Sequence, residues 1–374
     1  MMATVTQEYS LLLEKTQSNL SSVQSTTMMI EYASAPFKEP LPLPTILLKS
    51  IAIAILIILT VFGNTVVIAI IVKNKQLRGT TYYYLLNLAV ADIMIAVFTE
   101  WTYLVHDLKR YWIFGEFTCK FSTVIQAISV HVSILTLTII AIDRYLAIVF
   151  PLKSRVTSRN GGAGIFILVV WMIAIAVNIP LLLHADYYEW VYDDGVFRAY
   201  CGEYWENQMM EAIYTTLLIV IVYIAPLCLM IFVYLTIATK LLISRAPGER
   251  IESTVSSQER TKRKVLKMLV VVVLTFALCW LPYNVYTICR LWIGQRLDNE
   301  TDDKIHFAIL WLGYANSALN PFIYCGFNQN FRKGFLQILT CNSKRYSPCN
   351  KDVYSKKTIP SQTEKTIVEQ QSLM

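Results

Sequence analysis

The sequence predicts an all-α membrane protein, a seven-transmembrane helix bundle with a short amphipathic helix after the seventh span. Three observations lead there. Charged residues make up only 16% of the 374-residue chain, against about 25% in soluble domains. Apolar residues reach 55% and gather into runs of about twenty, the length that crosses a bilayer with all backbone groups satisfied inside the helix. The remaining Lys and Arg concentrate in alternate connections, which marks them as a topology signal and argues against nucleic acid as the partner of the +7 charge.

The seven runs are 45–72, 83–105, 117–149, 164–183, 210–242, 265–293 and 304–327. The third is interrupted by polar side chains and reads as a helix enclosed by others. Residues 1–44 form a polar N-terminal tail, 45–328 the bundle, 329–341 a helix on the membrane surface and 342–374 a polar, Ser/Thr-rich tail expected to be disordered. The start lacks a basic segment followed by an apolar core, so the first run is expected to insert as a signal-anchor.

Orientation follows from short-loop cations. The first connection holds Lys73, Lys75 and Arg78, the third Lys153, Arg155 and Arg159, the fifth Arg245, Arg250, Arg260, Lys262, Arg263 and Lys264. These face the cytoplasm by the positive-inside rule. The fourth and sixth connections are acidic, with Asp186, Glu189, Asp193, Asp194, Glu203 and Glu206 in one and Asp298, Glu300, Asp302 and Asp303 in the other. The N-terminus is therefore expected outside and the C-terminus inside. The sequons at Asn19 and Asn299 both fall on the outer side and are candidate glycosylation sites.

Polar groups inside the runs are costly and so mark function or an interhelical network. Asp92 is the clearest, with Asn64, Ser133, Asn316, Ser317 and Asn320 expected at similar depth. A carboxylate amid hydroxyl and amide oxygens suits a sodium ion, with Asp92 and Ser133 as its ligands; a plain hydrogen-bond network is the other reading. Asp143-Arg144-Tyr145 ends the third run on the cytoplasmic side. Pro226, Pro282 and Pro321 lie in the last three runs, where each removes a backbone hydrogen bond. That repetition suggests moving parts. After the seventh run, basic and aromatic residues alternate at helical spacing around Phe331, Arg332, Lys333 and Phe335, as in a helix lying on a membrane. Cys341 is a candidate for palmitoylation. Ser355, Thr358, Ser361, Thr363 and Thr366 are candidate phosphorylation sites, and the terminal Ser372-Leu373-Met374 has the form of a PDZ ligand.

These residues in this order resemble rhodopsin-like (class A) G-protein-coupled receptors. The match runs through Gly63-Asn64, Asn87-Leu88-Ala89-Val90-Ala91-Asp92, Trp112, Phe114-Gly115, Cys119, Asp143-Arg144-Tyr145, Trp171, Pro226, Cys279-Trp280-Leu281-Pro282 and Asn320-Pro321-Phe322-Ile323-Tyr324. The resemblance implies a Cys119–Cys201 disulfide and a sodium pocket at Asp92, Ser133 and Asn316. It implies a packing triad of Ile134, Pro226 and Phe276, with Trp280 beneath the ligand. Arg144, Tyr234 and Tyr324 would reorganise as the sixth helix swings out to admit a heterotrimeric G protein, with arrestin and a receptor kinase acting at the tail. One departure is at Lys262, where some members carry an acid that holds the arginine equivalent to Arg144.

The position that amine receptors fill with aspartate is Gln126, and the retinal lysine of opsins is replaced by Tyr314. Gln126 and the Ala277–Tyr283 stretch resemble receptors of the neuropeptide Y, RFamide and orexin group, and the long second outer loop suits their β-hairpin lid. The expected ligand is a C-terminally amidated peptide, its amide near Gln126 and an Arg near Glu100, Glu203 or Glu206. Tyr103, Trp280, Thr287 and Leu310 complete the candidate set. Alternatives are a class A receptor for a non-peptide ligand, a constitutively active orphan, or a transporter, although the runs do not pair into repeats. Enzyme chemistry has little support, since His106, His131, His184 and His306 lie in separate segments and no CxxC is present.

Overall fold

A computed structural model describes residues 40–74, 79–150, 162–191, 197–243, 253–294 and 299–340. The first span is α1 (Leu43–Lys73). The second comprises α2 (Thr80–Ile95), a π-helical turn (Ala96–Glu100) and α3 (Trp101–Lys109). The third is α4 (Gly115–Val149), and the fourth is α5 (Gly162–Val177) followed by α6 (Ile179–His184). A hairpin of β1 (Ala185–Val191) and β2 (Phe197–Glu203) leads to the fifth span, made of α7 (Gln208–Leu218), a second π turn (Ile219–Ile224) and α8 (Ala225–Ile243). The sixth is α9 (Ser253–Ile293), the seventh α10 (Asn299–Phe327), and α11 (Gln329–Leu339) follows.

Six of these spans are long and apolar enough to cross a membrane by length and composition, and the third is the most enclosed of them. The seventh is less apolar, because charges open it and Asn316, Ser317 and Asn320 interrupt its middle. The sixth helix begins at Ser253, earlier than the apolar run, and the polar stretch just ahead of that run, 258–264, is rich in the good helix formers Gln, Glu, Arg and Lys.

Each proline is accommodated differently. Pro180 opens α6, where its missing N–H costs nothing, after a break at Asn178. Tyr214 of the fifth span donates to the Val177 carbonyl beside that break (3.0 Å). The fifth span widens into its π turn just before Pro226. Pro321 leaves the Ser317 carbonyl without its helical donor, and Asn64 Nδ2 supplies one at 3.1 Å. Gly63 makes that approach feasible, since a Cβ there would stand 2.8 Å from Pro321 Cγ. Gly63-Asn64 thus fastens the first span to the seventh.

The second, third and fourth spans are joined by one chain of donors. Trp171 Nε1 donates to Asn87 Oδ1 (2.9 Å), and Asn87 Nδ2 donates to Thr136 Oγ1 (2.9 Å). The main apolar core includes Ile134, Tyr234, Phe276, Trp280, Tyr324 and Phe331. Phe331 seats α11 against the bundle, and Gly334 lets that helix lie on Ile70, where a Cβ would come within 2.7 Å.

Candidate functional site

The hairpin covers one end of the bundle. β1 and β2 pair antiparallel with Tyr187 opposite Cys201, and Cys201 is disulfide-bonded to Cys119 of α4. The Trp112 N–H donates to the Ala199 carbonyl (2.7 Å), and its Nε1 donates to the Gly115 carbonyl (2.8 Å). Gly115 takes φ +75°, a left-handed conformation natural to glycine. Beneath the hairpin lies a cavity of ≈ 150 Å³ lined by Thr99, Thr102, Tyr103, His106, Trp112, Ser122, Thr123, Gln126 and Cys201.

The floor of the cavity is polar. Tyr314 OH donates to Gln126 Oε1 at 2.9 Å. That bond fixes the amide plane, and Gln126 Nε2 has no partner among the described residues. The Tyr103 hydroxyl is buried without a partner, its ring near Phe307 and Tyr314. Gln126 and Tyr103 are thus the expected ligand residues that line the cavity. Leu310 is buried with Tyr314 in a neighbouring apolar cluster. Trp280 lies in the main core, and Thr287 is half-buried on α9.

Several acids at this end already have partners. Asp107 pairs with Lys49 (2.7 Å), whose ammonium lies 4.5 Å from the Phe307 ring centroid. Asp303 pairs with Arg110 (2.6 Å), Asp302 accepts from Tyr286 OH (2.9 Å), and Glu116 pairs with Lys120 (2.7 Å). Glu100, Glu203 and Glu206 are in no ion pair among the described residues, although Arg290 and His184 act electrostatically on Glu203. Glu203 and Glu206 are exposed at the hairpin end. Trp205 Nε1 donates to Glu203 (3.1 Å). Desolvation of the Glu203 carboxyl raises its pKa, and the Trp205 bond opposes that rise. Glu100 is fully enclosed, and neither of its oxygens has a hydrogen-bond partner.

Below the cavity, Asn64, Asp92, Ser133, Asn316, Ser317 and Asn320 are all buried. Asn320 Nδ2 donates to Asp92 Oδ2 (2.8 Å), and Ser133 Oγ donates to the Ser129 carbonyl (3.0 Å). Asp92 Oδ1, Asn64 Oδ1, Asn316 Oδ1, Asn320 Oδ1 and Ser129 Oγ have no partner. These are oxygen donors of the kind that suit a hard cation, and Asn320 is the one bonded to the Asp92 carboxylate.

Ile134, Pro226 and Phe276 are buried together in the middle of the bundle. The Phe276 ring lies near Trp280 (6.4 Å) and Tyr223 (6.3 Å). At the end opposite the hairpin, Arg144 is paired with Asp143. Asp143 also accepts from Thr80 Oγ1 (3.1 and 3.3 Å) and Thr81 Oγ1 (3.2 Å). Thr80 and Thr81 bear on the site without any sequence signal, because their role exists only once α2 lies beside α4. Tyr234 and Tyr324 bury hydroxyls that have no partner, and Tyr145 packs its ring near Phe150 (6.0 Å). Pro282 lies inside α9. Asn19 and Cys341 lie outside the described residues, as do the side chains of Asn299 and Lys262.

The profile of the 7 transmembrane receptor (rhodopsin family) matches residues 63–324. The chain is 35% identical over 297 residues to a QRFP-like peptide receptor of Branchiostoma floridae, covering 79% of the chain and 78% of that receptor. It is 33% identical to a substance-P receptor of Aquarana catesbeiana over 85% of the chain and 75% of that receptor. It is 32% identical to neuropeptide FF receptor 2 of Mus musculus over 79% and 73%.

Proposed function

The chain belongs to the rhodopsin family of seven-transmembrane receptors, and we propose that it is a plasma-membrane receptor for a C-terminally amidated peptide of the RFamide or neuropeptide Y kind, coupled to a heterotrimeric G protein. The observation that carries the ligand class is the floor of the cavity. Gln126 has its oxygen occupied by Tyr314 and its Nε2 free of partners among the described residues. A terminal amide oxygen can accept from that Nε2 without bringing in a charge, whereas a terminal carboxylate would bury one. The names of the relatives support a peptide, two of them of the RFamide type.

In this reading the N-terminus and hairpin are outside, and α11 and the tail are inside. The peptide enters under the disulfide-anchored hairpin. Its Arg meets Glu203, the acid nearest the disulfide on β2; Glu206 and Glu100 are the other candidate acids. Agonist binding favours the open state by its differential affinity. Trp280 and the Ile134, Pro226 and Phe276 packing shift, α9 swings outward, and Arg144 leaves Asp143 to join Tyr234 and Tyr324 around the G protein. Asp92 and Ser133 hold the sodium ion in the resting state, where its charge balances the buried carboxylate. The tail recruits receptor kinase and arrestin and offers a PDZ end. Asn19 and Asn299 are glycosylated, and Cys341 is palmitoylated.

The test is expression with a promiscuous G protein and a calcium readout, comparing amidated neuropeptides with their free acids. Amides are expected to act and acids to fail. Gln126→Ala should weaken the amide's potency about 5- to 30-fold, the worth of one or two hydrogen bonds. Equal potency of amide and acid, or silence to every peptide at good surface expression, overturns the ligand assignment.

A further inference from the structure

The second span contains two fully buried acids, Asp92 and Glu100. Neither has a basic partner among the described residues. Three of their four oxygens, Asp92 Oδ1 and both of Glu100, have no hydrogen-bond partner at all. An interior carboxylate without a partner costs several kcal/mol, so this arrangement calls for a compensating positive charge, either a proton on the carboxyl or a bound cation.

The π turn at Ala96–Glu100 explains how the two acids come to be related. In an unbroken α-helix, residues eight apart point about 80° away from each other. A π turn absorbs one extra residue, which leaves the two side chains only about 20° apart. Glu100 is thereby turned inward, above Asp92. Its carboxyl group interacts electrostatically with Asp92 below and with Tyr314. Tyr314 is the residue bonded to Gln126 at the cavity floor. Cavity floor, Glu100 and Asp92 form a descending series.

We propose that Glu100 is a second monovalent-cation position, stacked above the Asp92 pocket, by way of which sodium passes between the ligand cavity and Asp92. This rests on the reading of Asp92 as a sodium site. Eight residues, one of them absorbed by the π turn, separate the two carboxylates by about 11 Å along the helix. At an effective dielectric of about 20, a second negative charge at that distance raises cation affinity about tenfold.

The experiment needs no agonist. The purified full chain in nanodiscs is titrated with sodium chloride against choline chloride, and thermal unfolding is followed for the wild type, Asp92→Asn, Glu100→Gln and the double variant. The expected result is a sodium-dependent rise in Tm. Glu100→Gln should raise the half-effective sodium concentration about tenfold. Asp92→Asn should keep a weaker response, which the double variant loses. If Asp92→Asn is flat and Glu100→Gln matches the wild type, the proposal is overturned while the Asp92 site survives. A wild type that does not respond to sodium overturns both. A residual Asp92→Asn response that follows pH and not sodium identifies a proton at Glu100 and also overturns the proposal. Should Glu100→Gln fail to fold, the Asp92→Asn titration decides alone, since Glu100 is intact there.

Discussion

Thr80 and Thr81 hold Asp143, and Asp143 holds Arg144. Some relatives restrain this arginine with an acid on the sixth helix, but here the matching position is Lys262. Among the described residues, the side chains seen to hold the Asp143–Arg144 pair are Thr80 and Thr81 of the second span. A hydrogen bond to an enclosed charged group contributes about 1.5–3 kcal/mol. The Asp143 side chain is 20% exposed, so each hydroxyl is better valued at about 1 kcal/mol, for a total of about 2 kcal/mol. Removing both hydroxyls should shift the resting-to-active ratio about 30-fold. If about one receptor in a hundred is active at rest, that becomes about one in four. The assay is agonist-free nucleotide exchange on added G protein in membranes matched for receptor density. The Thr80→Ala, Thr81→Ala pair should show raised basal exchange, and the Thr80→Ser, Thr81→Ser pair should remain quiet because it keeps the hydroxyls. Equal basal exchange in the wild type and the alanine pair would refute the reasoning, as would equal activation by alanine and serine.

Two further outcomes are expected. Gly63→Ala drives a methyl group to 2.8 Å from the Pro321 ring, and overpacking of this kind costs about 1–3 kcal/mol; a thermal melt of the detergent-solubilised receptor should show a lower Tm, whereas Gly164→Ala, with open space around it, should not. Desolvation lifts the Glu203 pKa above the ordinary Glu value, and an Arg-bearing agonist binds the ionised form, so binding should release a proton. Agonist affinity should then fall as pH drops through that raised value, and Glu203→Gln should bind more weakly with a flatter pH profile in radioligand competition.

Much of the bundle was legible because a bilayer penalises every unsatisfied backbone group, so apolar runs and loop cations report its spans directly. Asp92, Asn64 and Asn320 stood out for the same reason, since a polar residue in an apolar run is conspicuous. The disulfide pair, the hairpin and the central Gln126 followed from the resemblance. What did not show was anything decided between helices. The two π turns have no residue signature, and the one at Ala96–Glu100 changes which way Glu100 points. The outer acids carry no mark of their partners in the sequence, and Asp107, Asp303 and Glu116 are paired with Lys49, Arg110 and Lys120, two of them from distant segments. The partnership of Tyr314 with Gln126 joins residues 188 apart, a separation no local pattern spans.

The length of α9 has a mechanical consequence. Among the described residues, its side-chain ties to other spans are Tyr223 OH to the Ala277 carbonyl, Trp292 to Thr216 and Tyr286 to Asp302. All lie from Ala277 outward, whereas Met268, Leu269, Val272, Val273 and Phe276 on the inner side are held by apolar packing, which has no fixed partner geometry to break and so makes Ala277 the fulcrum of a tilt. From there to Ser253 the helix extends about 36 Å. A tilt of only about 10° at the fulcrum carries the inner tip about 6 Å sideways over that length. A displacement of an ångström or so beside Trp280 becomes about 6 Å at the end opposite the hairpin, roughly half the width of a helix with its side chains. In the proposed activation the sixth span is a lever whose long arm is on the inside, and lengthening or shortening that arm should scale the size of the opening without touching the ligand cavity.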